Sequence, residues 1–128
     1  MLMEFVLLTK ELPETEPKMR VYEHYVVFNS AAVSMMELND EDYVQFAHPA
    51  FGTKKETYVR KTDRAVGSYI ARKRRSTMRV ASRKLSALLA ERLDGVGCYR
   101  ICPEDPVPDE GGTWYNIFFR NYDKKDTD

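Results

Sequence analysis

Cysteine is scarce: Cys98 and Cys102 are the only two among 128 residues. On a strand over Val96–Cys102 they share one face four residues apart, with Cα atoms ~13 Å apart at ~3.3 Å per residue. A disulfide needs less than ~7 Å, so both are expected as free thiols filling apolar space. Histidine is equally scarce, and neither His24 nor His48 has ligand spacing to the cysteines or to the other. No metal and no other cofactor is expected. Long hydrophobic runs are missing, since none approaches the ~20 residues that span a bilayer. The Met1–Leu8 run is too short for a secretory leader, lacks a basic start and contains Glu4. A protein without membrane contact, in the reducing cytoplasm, is the expectation. The six glycines form no phosphate-cradling loop. Ser30, Ser34, Ser82 and Ser86 have no nearby histidine to act as a base, and Asp40-Glu41-Asp42 is too short for a calcium ligand ladder. No catalytic constellation is found, and an enzyme is not expected. Lysine plus arginine equals aspartate plus glutamate at 20 each, which excludes a generally basic coating protein.

What is present fits a single domain of mainly β, α+β architecture, with two short helices packed on antiparallel strands. Glu4–Leu8 reads as a short strand, and Thr9–Lys18, with two prolines, as a loop. Met19–Phe28 is rich in Val, Tyr and Phe and reads as one strand, which makes His24 a half-buried sheet residue. Ser30 is placed as the N-cap of a helix over Ala31–Leu38, with Val33, Met36 and Leu38 toward the core. Tyr43–Ala47 and Glu56–Lys61 follow as strands. Val66–Arg72 and Thr77–Ala81 read as two strands around a tight Lys73-Arg74-Arg75-Ser76 turn. Ser82 caps a second helix, Arg83–Leu93, whose Leu85, Leu88, Leu89 and Leu93 keep helical spacing, and Gly95 closes it. Val96–Cys102 and Thr113–Tyr122 are the last strands, the latter with Tyr115, Ile117 and Phe119 on one face. Pro103–Gly112 between them is a loop.

The two halves run in the same order. Val26–Phe28, Ser30, Val33 and Met36 precede Met78–Val80, Ser82, Leu85 and Leu88 by 52 residues, and Tyr43–Phe46 precedes Cys98–Ile101 by 55. This suggests pseudo-repeats 1–62 and 63–128, each a β-β-α-β-β unit too small to be comfortably stable alone. The segment Val26–Phe46 resembles the swapped-hairpin unit of the AbrB/SpoVT and MazE family. Val26-Val27-Phe28 matches its entering strand, Ala31–Leu38 its helix, Leu38 to Asp42 its turn and Tyr43–Phe46 its exit strand. The resemblance implies a single-chain pseudo-dimer and a DNA-binding transcriptional regulator. The chain departs from the family where basic residues are expected near the helix start: Ala31–Leu38 has none, whereas the second helix has Arg83 and Lys84.

Charge is segregated along the chain. Residues 1–59 hold 5 basic and 10 acidic residues, residues 60–84 hold 10 and 1, and residues 85–128 hold 5 and 9. Arg72, Lys73, Arg74 and Arg75 are expected at a hairpin tip, with Arg79, Arg83 and Lys84 close by. A β-ribbon fits the major groove. On that reading Arg74, Arg75 and Arg79 approach base edges, while Arg72, Lys73, Arg83 and Lys84 neutralise phosphates. Tyr58, Tyr69 and Tyr99 are either stacking platforms beside it or core aromatics. Two functions stand: a non-enzymatic nucleic-acid-binding protein, or an interaction or assembly module of phage or mobile-element type. In the second, the basic hairpin meets an acidic protein surface or the acidic loops of another copy.

Overall fold

The computed structural model describes residues 16–50 and 56–124. The expected Glu4–Leu8 strand lies outside them, as does most of the Thr9–Lys18 loop. The elements run β1 (Lys18–Val21), β2 (Val26–Phe28), α1 (Ser30–Met36), β3 (Tyr43–Ala47), β4 (Thr57–Thr62) and β5 (Tyr69–Ile70). Then come β6 (Arg72–Arg74), β7 (Thr77–Val80), α2 (Arg83–Arg92), β8 (Gly97–Arg100) and β9 (Tyr115–Ile117). The architecture is mainly β with two short helices, as the sequence leads one to expect. Two antiparallel sheets carry the strand orders β6-β7-β2-β1-β8 and β5-β3-β4-β9.

The sheets join at both edges. Ala71 links β5 to β6, and its N–H donates to the Asp42 carbonyl at 2.9 Å. At the other side Ile101 bridges Ile117, and Cys102 N–H donates to the Asn116 carbonyl at 2.8 Å. The strands thus close around one core, which contains Met19, Val26, Phe28, Val44, Val59, Met78, Val80 and Ile117. From the helices it takes Ala32, Met36, Leu85 and Leu89. Tyr99 is fully buried; its hydroxyl donates to the Gly95 carbonyl at 2.6 Å and accepts from Asp94 N–H at 2.8 Å.

The registers are regular. Arg20 lies opposite Val27 and Arg72 opposite Arg79, so both members of the pair recur 52 positions on. In the β2–β7 ladder Val26 faces Val80 and Phe28 faces Met78, which is the same 52-residue offset read in both directions. In the β4–β9 ladder Thr57 faces Ile117 and Val59 faces Tyr115, an offset of 58 in both directions. Either ladder is unchanged when its two strands are exchanged.

Several local expectations are corrected. Met19–Phe28 is not one strand: β1 and β2 form a hairpin closed by Tyr22 N–H donating to the Tyr25 carbonyl at 2.9 Å. The turn residues Glu23-His24 carry no Gly, Pro or Asn signal, and His24 is exposed rather than half-buried. The α1 cap is Asn29, whose side chain accepts from Ala32 N–H at 2.9 Å, and not Ser30. Both residue types cap well. The Arg72–Arg75 tip is also shorter than expected: Arg72, Lys73 and Arg74 form strand β6, and only Arg75 and Ser76 turn. Leu88 is 53 % exposed despite its helical spacing, and Phe119 is 48 % exposed beyond the end of β9.

Candidate functional site

Alternation along the five-stranded sheet sends Met19, Val21, Val26, Phe28, Met78 and Val80 into the core, so their neighbours face outward. Those neighbours are Lys18 and Arg20 on β1, Val27 on β2, Thr77 and Arg79 on β7, and Arg72 and Arg74 on β6. On β8 they are Cys98 and Arg100. Most of these outward positions are cations and none is a carboxylate. The ladders set Arg72, Arg79, Val27, Arg20 and Cys98 side by side in one row.

Like charges directly opposite repel, so the row needs offsets. Arg72 finds one in Glu41, Nη1 to carboxylate at 2.9 Å. Arg79 instead lies over the Tyr25 ring, its guanidinium carbon 4.1 Å from the centroid, a cation–π contact. Its Nε–H is buried and has no hydrogen-bond partner among the described residues. Buried polar groups without a partner are few in native folds.

The protein's own acids neutralise the β1–β8 side. Arg20 pairs with Asp123 at 2.5 Å, and that hydrogen bond holds its pKa above the usual arginine value. Arg100 bonds Glu104 and Glu16, chiefly Glu104, which raises the arginine and lowers the glutamate. The β6–β7 side is different. The side chains of Lys73, Arg74 and Arg75 are exposed and join no ion pair among the described residues. Arg83 and Lys84 are likewise exposed and unpaired there, in the first turn of α2. That turn prefers anions by ~0.3–1 kcal/mol per charge, and it contains no acidic residue. A concave site of about 440 Å³ lies here, lined by Tyr69, Arg72, Arg74, Arg79 and Ser82 among others.

The basic segment is therefore divided by the fold. Arg60 is only 4 % exposed; it lies 4.2 Å over Trp114 and donates to Gln45 at 2.9 Å. Lys61 pairs with Asp42 at 3.3 Å and Arg64 with Glu110 at 3.8 Å. Conversely, Lys18, Arg20 and Arg100 join the cationic face from outside the dense segment. The signal for Lys18 and Arg20 was the alternation in Lys18-Met19-Arg20-Val21-Tyr22. Of the three tyrosines considered as platforms, Tyr99 is core, and Tyr58 donates to Glu56 at 2.7 Å on the other sheet. Tyr69 lines the concave site but packs edge-on against Phe46 at 6.2 Å. The aromatic pair on the cationic face is Tyr22 and Tyr25, which reading Met19–Phe28 as a single strand hides.

Neither cysteine is in a disulfide; Cys98 is buried and Cys102 partly so, and burial pushes the Cys102 thiol up. Among the described residues no group of three His, Cys, Asp or Glu is placed to hold a metal ion, and no helix is long and apolar enough to cross a membrane. The sequence matches no protein-family model, no curated protein and no solved structure.

Proposed function

We propose that this protein binds nucleic acid through the outer face of its five-stranded sheet, with the β6–β7 hairpin as the main contact. One observation carries the reading: the face presents cations without an acid among its strand positions. The protein's own carboxylates meet Arg20, Arg100 and Arg72, leaving Arg74 on the face and Arg75 at the turn for a polyanion, with exposed Lys73 beside them on the other side of the edge strand, opposite Met78. Arg75, at the turn, and Arg74 reach furthest toward base edges. Arg72, Lys73, Arg79, Arg83 and Lys84 serve phosphates. A regulator built from two copies of one hairpin–helix–hairpin unit, as the AbrB-like resemblance implies, belongs to the same proposal. The matched 52-residue registers of the two hairpins support it.

The alternative, self-association through complementary charge, is less favoured. The acidic loop Asp40–Asp42 is already engaged within the molecule: Asp40 accepts from Lys73 N–H at 2.8 Å, and Glu41 and Asp42 hold Arg72 and Lys61. The test is binding of duplex and single-stranded oligonucleotides at 50 mM and at higher salt. Four to seven phosphate contacts give a log–log salt slope of about −4 to −6. Changing Lys73, Arg74 and Arg75 together to Ala should flatten it by about 1, for the Lys73 phosphate contact, and weaken binding further through the two lost base-edge contacts. No binding at 50 mM salt refutes the proposal, and salt-sensitive oligomers that the same substitutions dissolve would establish the alternative.

A further inference from the structure

The hairpin tip at the opposite end of the cationic face is aromatic. Tyr22 and Tyr25 stack with centroids 4.6 Å apart and planes 29° from parallel, within the range of offset-stacked pairs. Arg79 sits on the same Tyr25 ring at 4.1 Å. Tyr25, half-buried, thus carries a guanidinium and a second ring, and Tyr22 is the outer member at 39 % exposure. An exposed tyrosine could simply be solvated, but this one is immobilised. The tight turn fixes its backbone, the stack fixes its ring, and Arg79 ties the stack to the basic row. A ring already ordered loses little entropy when a further flat group lands on it.

We propose that Tyr22 is a stacking platform for an unpaired base, so that the ligand is single-stranded nucleic acid. This deepens the proposed function and rests on it. A base on Tyr22 extends the Tyr22–Tyr25 stack, whose inner ring also carries Arg79. Its backbone then runs over Arg79 and Arg72 toward Arg74, three strand spacings or about 14 Å across the sheet from β1 to β6. Glu23, beside Tyr22 at the tip and 81 % exposed in its side chain, repels phosphates from the far side and favours that direction. Bases paired within a duplex have no free flat surface to offer, so the platform discriminates by strandedness and tolerates any base.

The test compares a fluorescent oligothymidylate with a duplex of equal length, on the whole protein, as wild type, Tyr22→Ala and Tyr22→Phe. Base–aromatic stacking of ~1–3 kcal/mol predicts at least a roughly fivefold loss for Tyr22→Ala on the single strand. Duplex binding and the salt slope should be unaltered, and Tyr22→Phe should keep wild-type affinity. A wild-type protein that prefers duplex overturns the platform and leaves the cationic face standing. So does a Tyr22→Ala loss equal on both ligands, or no loss at all. A wild-type protein that binds neither ligand at 50 mM salt overturns the platform and the function together.

Discussion

Arg75 occupies a position that its side chain disfavours. It is the first residue of the β6–β7 turn and has φ of 58°, in the left-handed region that costs a non-glycine residue roughly 1–2 kcal/mol. Glycine is the residue that local backbone physics selects there. Arg75→Gly should therefore raise stability by about 1 kcal/mol in a denaturant titration while weakening oligonucleotide binding, a trade expected where strain accompanies a site. A stabilised variant with undiminished binding would remove Arg75 from the interface. Arg79 shows a second cost, an unpartnered buried Nε–H, beside a ring that holds the guanidinium in place. Neither feature is visible in a string of basic residues, because both depend on backbone angle and on what lies across the ladder.

At the scale of elements, the parts legible in the sequence are those whose signals are local. Tyr43–Ala47 alternates and is a strand, and Ser82 accepts from Leu85 N–H at 3.2 Å as the second helix's cap. Gly95, with φ of 81°, helps close that helix as expected. The connection from α2 to β8 is held by Tyr99, whose hydroxyl meets both Asp94 N–H and the Gly95 carbonyl. Tyr99→Phe leaves those two groups without that partner and should cost about 1–3 kcal/mol. Burial pushes the Tyr99 phenol above its ordinary value of 10.0. A group raised on folding stabilises fully below its unfolded value, and that stabilisation is lost as pH rises through the folded one. Wild-type stability should accordingly fall at alkaline pH beyond about 10, and Tyr99→Phe should lack that component in denaturation series measured across the range. The Glu23-His24 turn was not legible, because it contains none of the residues that announce a two-residue turn, whereas the turn at Arg75-Ser76 was read from the break between two strands and is only shorter than expected.

For the whole molecule, zero net charge conceals a field with direction. The acids of Glu16, Glu104 and Asp123 cover one side of the sheet's outer face, and Glu41 covers Arg72 alone near the other. Removing that single acid should change binding more than stability. The Glu41–Arg72 pair is exposed on both sides, and exposed pairs contribute ~0–1 kcal/mol at most. Glu41→Gln should leave thermal unfolding nearly unchanged, tighten oligonucleotide binding and steepen the log–log salt slope by about 1. An unchanged slope would mean that Arg72 does not reach the ligand.

Read alone, the chain determined its class: antiparallel strands and two short helices, from alternation, caps and breakers that act over a few residues. It also located the dense run of positive charge, since composition is a local property. Only the tertiary structure decided which charges act together. Folding buried Arg60 against Trp114, and strand pairing brought Lys18, Arg20 and Arg100 onto one face with Arg72 and Arg79. It also set Tyr25 under the Arg79 guanidinium. Arg60 and Trp114, and Tyr25 and Arg79, are each 54 residues apart in the chain, and the register that unites such neighbours is set by burial of the opposite face, which no local pattern encodes.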